Sequence, residues 1–114
     1  MTLKDAEELI LAFLKEECLL APKTCPLAGN SVHYDKAFIE KDMPRFHEFL
    51  HYRIVDVSSI KECAVRWIDQ TRMPRMRKEM THRALDDIRE SIAELKLYKE
   101  KIFDAAFKKK KRRF

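Results

Sequence analysis

Glycine occurs once in these 114 residues and proline four times. So few turn-formers exclude an all-β fold, which needs many tight turns, and exclude low-complexity sequence. Long apolar runs are missing as well. None approaches the roughly 20 residues that cross a bilayer, and the N-terminus lacks the basic-then-apolar pattern of a secretory signal, so no membrane partner is expected. Cysteine is scarce and odd in number: Cys18, Cys25 and Cys63 are widely spaced. That excludes a disulfide framework and predicts free, mostly buried thiols in a reducing compartment. A generally basic surface is lacking too, despite a net charge of +5. Lys108 to Arg113 supply six of the 24 basic residues, leaving 18 against 19 acidic ones. The basic character belongs to the tail, and whole-chain charge is weak support for a nucleic-acid groove.

What is present is enough apolar residue, 46%, for one domain with a modest core. Thr2 and Asp5 form a helix-start signal. Ala6, Leu9, Ile10, Phe13 and Leu14 then recur at helical spacing, predicting an amphipathic helix from 3 to about 17 that Pro22 cannot extend. A short strand is expected at about 25–29, closed by Gly29, where a strand turns sharply into a helix. Ser31 is placed to cap that helix, which carries Asp35 early and packs Phe38 and Ile39. Pro44 opens another, ending near His51. Residues at about 52–57 are β-branched and apolar, a second strand. Ser58 is expected to cap the helix after it, with Ile60, Cys63, Ala64 and Trp67 on one face. Residues 68–80 read as a basic loop. A long helix follows at about 83–105, with Leu85, Ile88, Ile92, Leu95 and Ile102 inward. Alternating strands and helices imply parallel pairing and an α/β class, mostly helical.

Ligands of open parallel sheets sit beyond the carboxyl ends of the strands, and Asp35 and Ser58 each follow a strand end. Asp35 and Asp87 offer the hard carboxylate oxygens that Mg²⁺ or Mn²⁺ prefers. His82 has the proton affinity of a general base near neutral pH. Five helical residues rotate a side chain by roughly 140° net, so His82 is expected in the loop or cap, over an Asp87 held in the first turns. The competing reading is a helix N-terminus carrying acids for its dipole. His47 and His51, spaced i and i+4, lack a third ligand at a suitable interval and read as surface or capping residues.

Three segments then act together. Cys25-Pro26-Leu27-Ala28-Gly29-Asn30-Ser31-Val32-His33-Tyr34-Asp35, His51-Tyr52-Arg53-Ile54-Val55-Asp56-Val57-Ser58 and His82-Arg83-Ala84-Leu85-Asp86-Asp87-Ile88-Arg89-Glu90-Ser91 resemble successive signatures of the oligoribonucleases. These are 3′→5′ exonucleases of the DEDDh group with a ribonuclease-H-like fold, and the likeness is to the animal mitochondrial form. The resemblance implies Asp35 and Asp87 as ligands of Mg²⁺ or Mn²⁺ and His82 as the base. It also implies Ser31, Tyr52, Arg53 and Ser58 as the pocket for the 5′-phosphate end of a very short single-stranded RNA. Tyr52 and Arg53 would be offered across a homodimer, and Asp56 would be structural. A mitochondrial or cytoplasmic location is implied, a nuclear one being open.

One family feature is missing from this sequence: a strand bearing Asp-x-Glu followed by Thr-Gly, whose two carboxylates complete the metal site. Asp5-Ala6-Glu7 matches the bare spacing but falls on the first helix. Residues 1–107 therefore resemble the carboxyl-terminal half of the exonuclease domain, and 108–114 read as a solvated basic tail. The alternative to a hydrolase is a non-catalytic remnant that binds RNA ends or dimerises.

Overall fold

The structure is a computed structural model and describes residues 1–76 and 83–107. These fall into two compact units, Met1–Asp56 and Val57–Phe114. Expectations that fall on 77–82 and 108–114, His82 and the basic tail among them, lie outside the described residues.

In the first unit, α1 (Leu3–Ala12) starts with the predicted signal. Thr2 Oγ1 accepts from the Asp5 N–H at 3.1 Å, and Asp5 Oδ2 accepts from the Thr2 N–H at 3.3 Å. This is a capping box with aspartate in the glutamate position. The helix runs on as a π-helical segment, Phe13–Glu17. Its inward stripe differs from the expected one. Glu7 and Leu11 are buried and Leu14 is half-buried, whereas Leu9 and Phe13 are exposed. Hydrophobic spacing alone could not find this face, because a carboxylate occupies its centre.

The Glu7 carboxylate has a specific task. Helix α2 (Val32–Asp42) gives way at Met43 to α3 (Pro44–Phe49). Met43 has no side-chain oxygen to cap α3, and Pro44 stands at its first position with no N–H to satisfy. Glu7 Oε2 accepts from the next two N–H groups, Arg45 at 2.8 Å and Phe46 at 3.0 Å. A buried anion thus meets the positive end of a helix dipole and is solvated by it. The same pairing joins α1 to α3.

Strands β1 (Leu27–Gly29) and β2 (Ile54–Asp56) form a two-stranded parallel sheet, with Leu27 opposite Ile54 and Gly29 opposite Asp56. Parallel strands require a crossover, and α2 with α3 provides it. Both strands fall inside the predicted ranges: β1 starts later and ends as expected at Gly29, and β2 is shorter at both ends.

In the second unit, α4 (Val57–Trp67) starts directly from β2, so Ser58 lies inside its first turn and does not cap it. Val57, Ala64, Met73 and Tyr98 make a small core, with Ile60, Ile68, Leu95 and Ile102 packed on it. Cys63 and Trp67, expected inward, are exposed. Val57, Ile60 and Ala64 carry the core face of α4, and Cys63 and Trp67 flank Ile60 along an open apolar groove. The described residues 68–76 carry no helix or strand, as expected. Helix α5 (Ala84–Tyr98) continues through a π-helical segment, Lys99–Asp104, and a last turn, Ala105–Phe107. Its Leu95 and Ile102 reach the core, but Leu85, Ile88 and Ile92 are exposed. Two of the three thiols, Cys18 and Cys63, are exposed as well, against the expectation of burial.

Within α5 the buried Glu94 accepts the Tyr98 hydroxyl at 2.7 Å. Burial chiefly, and the Glu94 carboxylate next, raise the Tyr98 phenol well above its ordinary value. The unfolded chain releases this proton near pH 10 while the folded chain keeps it. The contribution is therefore complete below about pH 10 and lost as pH rises beyond it. In urea melts across that range, Tyr98→Phe should show a shallower alkaline loss of stability than the natural chain. Glu7→Ala should cost about 1–3 kcal/mol by the same measurement, through unsatisfied N–H groups. Glu7→Gln, which keeps an acceptor, should cost less.

Candidate active site

Asp56 is the last residue of β2 and stands beside the candidate residue Ser31 in the first unit. Its side chain is 15% exposed, and Oδ1 accepts the Ser31 N–H at 2.9 Å. Ser31 follows β1 in the left-handed region, φ 52° and ψ 40°, and its hydroxyl makes no cap bond to α2. This corrects the expected cap. With its backbone turned this way, the residue presents its N–H to the neighbouring strand's carboxylate. The role of Gly29 also differs from expectation, since its φ is not positive. A Cβ there would lie 3.4 Å from Cγ2 of the buried Val32, an ordinary van der Waals contact, so neither the backbone angles nor the space demand glycine here.

Asp56 also reaches His33, whose Nδ1 lies 3.8 Å from Oδ2. The His33 ring in turn packs on Tyr34, with centroids 4.1 Å apart and planes tilted by 37°. Asp35 follows on α2, exposed, and its carboxylate has no hydrogen-bond or ion-pair partner among the described residues. Asp87 resembles it: exposed in the first turn of α5, with its side chain equally unpartnered among the described residues. The two stand in different units. Arg83 is extended and is the N-cap residue of α5, without a side-chain cap bond. His82 itself lies outside the described residues.

Tyr52 and Arg53 occupy the segment entering β2. Arg53 lies over the Tyr52 ring at 5.3 Å, and His51 stacks on its neighbour Tyr52 at 4.7 Å. His51 Nδ1 accepts the Arg53 N–H at 3.0 Å, and Lys36 Nζ donates to the Tyr52 carbonyl. The result is an exposed aromatic ring with a guanidinium fixed beside it, a pairing suited to an anionic group. Ser58 is half-buried in the second unit. His47 lies 3.2 Å from Glu40 Oε2, an ion-pair contact without hydrogen-bond geometry. His47 and His51 thus engage different partners. No group of three metal-ligating side chains occurs among the described residues. In the second unit an apolar groove of about 370 Å³ is bordered by Ile60, Cys63, Trp67 and Phe103, and it offers no cluster of reacting groups.

Sequence reasoning passed over the support that Asp56 gives to Ser31 and His33. Asp56, which ends β2, was expected to be structural, but its partners Ser31 and His33 lie far back in the chain, just after β1. Lys36 was missed for the same reason.

The family model described as Exonuclease matches residues 2–95. The chain is 49% identical over 113 residues to the mitochondrial oligoribonuclease of Bos taurus, covering 99% of this chain and 47% of that protein. It is 48% identical over 103 residues to the oligoribonuclease of Rhodococcus jostii, covering 90% and 51%. With that of Streptomyces avermitilis it shares 51% over 102 residues, covering 90% and 50%. The chain spans about half the length of the curated relatives it matches.

The Ser31 conformation generates a stability test. A side chain in the left-handed region costs roughly 1–2 kcal/mol, which glycine avoids at some cost in unfolded-state entropy. Ser31→Gly should leave the unfolding free energy from urea melts unchanged or raise it by up to about 1 kcal/mol. A clear fall would mean that the hydroxyl itself holds the turn.

Proposed function

The chain belongs to the exonuclease family, and from that premise we propose that it carries part of the site of a 3′→5′ exoribonuclease acting on very short RNA. The match over residues 2–95 carries this reading. The oligoribonuclease relatives, at about half identity, support the choice of substrate class. In this reading the helices and two parallel strands are part of a ribonuclease-H-like domain over 1–107, followed by a basic tail at 108–114.

Asp35 and Asp87 would hold Mg²⁺ or Mn²⁺. Their donor chemistry fits, being hard carboxylate oxygens without competing partners among the described residues. When bound, such cations stabilise the attacking and leaving oxygens of an in-line displacement, as two-metal hydrolysis requires. His82 would take the proton from the attacking water, a step that suits an imidazole near neutral pH. Ser31, Tyr52, Arg53 and Ser58 would hold the 5′-phosphate end, with Tyr52 and Arg53 offered across a homodimer. Arg72 and Arg75, in the described part of the basic loop before His82, would meet the RNA backbone. The mitochondrial relatives favour that compartment, the cytoplasm and nucleus being alternatives. No helix of the described residues is long and apolar enough to cross a membrane.

A second reading, a non-catalytic binder of RNA ends or a dimerisation remnant, has one observation in its favour. Asp5 and Glu7, the chain's own Asp-x-Glu triplet, are committed to helix capping. Two carboxylates leave a two-cation site short of negative charge.

Calorimetric titration with a 5′-phosphorylated dinucleotide and its 5′-hydroxyl counterpart tests the shared part of both readings. The phosphorylated form should bind at least about tenfold more tightly, and Arg53→Ala should remove most of that preference. Failure to bind either form would overturn the exoribonuclease and RNA-end-binding readings and leave only the dimerisation remnant. Incubation of this polypeptide with Mn²⁺ and the dinucleotide should give little or no mononucleotide. Robust turnover that disappears in His82→Ala would instead establish a self-sufficient enzyme.

A further inference from the structure

Helix α2 exposes two large aromatic rings that the reading above leaves without a task. Tyr34 is 66% exposed and Phe38 is 67% exposed, one helical turn apart. At about 100° per residue, Phe38 lies roughly 40° around the helix from Tyr34, and Asp35 roughly 60° beyond Phe38. Lys41, also exposed, returns to within roughly 20° of Tyr34 one turn further on. One face of α2 therefore carries a ring, a second ring and a cation in line, with the Asp35 carboxylate along its side.

Tyr34 differs from an ordinary exposed aromatic in being propped. His33 packs against it at 4.1 Å. His33 in turn lies 3.8 Å from the Asp56 carboxylate, which is anchored by the Ser31 N–H at 2.9 Å. Support thus runs from the end of the parallel sheet, through a carboxylate and an imidazole, to a phenol ring in solvent. Rings held in place before a ligand arrives lose little conformational freedom on binding.

Resting on the short-RNA reading, we propose that Tyr34, propped by His33 and extended by Phe38, is a stacking platform for a nucleobase of the RNA whose phosphate is processed beside Asp35. Aromatic faces accept any base and cations between them follow the backbone, the pattern of single-strand binding surfaces. A protein-protein contact suits this face less well. Asp35, Lys41 and Asp42 border the rings, and the centres of protein interfaces are depleted of such charges.

The test is calorimetric titration of the full chain in EDTA, so that neither hydrolysis nor cation binding enters. The probes are a 5′-phosphorylated adenylyl dinucleotide and the same molecule with its 3′ base removed. Stacking is worth about 1–3 kcal/mol per base, so Tyr34→Ala should weaken the intact dinucleotide by about five- to 150-fold. It should leave the abasic probe unchanged. Tyr34→Phe should retain the affinity, and Phe38→Ala should lose part of it. Circular dichroism and urea midpoints establish that each variant is folded.

The platform is overturned if Tyr34→Ala binds the intact probe as tightly as the natural chain, or weakens both probes equally. It is also overturned if the variant changes only self-association in sedimentation velocity. In each of these results a 5′-phosphate preference that still depends on Arg53 leaves the exoribonuclease reading standing. A natural chain that binds neither probe brings down both.

Discussion

The buried carboxylate of Glu7 is the contact on which the first unit is assembled. Isolating a carboxylate from water costs several kcal/mol unless donors replace the lost hydration. Here two consecutive backbone N–H groups at the start of α3 do so, reinforced by the dipole of that helix. α3 in turn lacks a capping side chain of its own and opens on proline. Each element thus supplies what the other is missing. Because α3 sits in the connection between the strands, fixing it on α1 also constrains where β2 can run. The contact has a chemical consequence as well, since a carboxylate occupied with two N–H groups in the interior is unavailable to a cation.

Asp56 plays the corresponding part at the surface. It ends β2 opposite Gly29, and its two oxygens face Ser31 and His33. A carboxylate that needs several partners close together draws the start of α2 against the sheet. Asp35, four residues after Ser31, is thereby presented on a fixed helix without itself being used in folding. The division is physical: carboxylates that build the unit are enclosed by donors, whereas Asp35 and Asp87 have none among the described residues.

Local signals in the sequence were read well and nonlocal ones poorly. Thr2 and Asp5 lie three residues apart, and Pro44 fixes its own backbone, so both helix starts were legible. The strand positions and their parallel pairing followed from composition and element order. The expected helix-capping roles of Ser31 and Ser58 failed because each depends on its backbone angles. Ser31 adopts the left-handed conformation, and α4 begins one residue before Ser58. The exposure of Leu85, Ile88 and Ile92 was illegible because periodicity identifies a stripe and says nothing of what covers it. For the site, the linked motifs were legible through residue order alone. The support of Tyr34 by His33 and Asp56 was not, since it joins residues brought together only by strand pairing.

Parallel pairing of β1 with β2 has a consequence for how the first unit forms. No hairpin can seed this sheet, because Leu27 meets Ile54 only after the whole α2–α3 connection has been laid down. The Glu7 contact with Arg45 and Phe46 likewise closes a long loop. Loop closure loses entropy before the contacts compensate it. Folding of this unit is therefore governed by its long-range closures, and is slow relative to the helices within it. On the ribosome, β1 emerges and must wait for its partner, leaving its N–H and C=O groups to water until Asp56 has been synthesised.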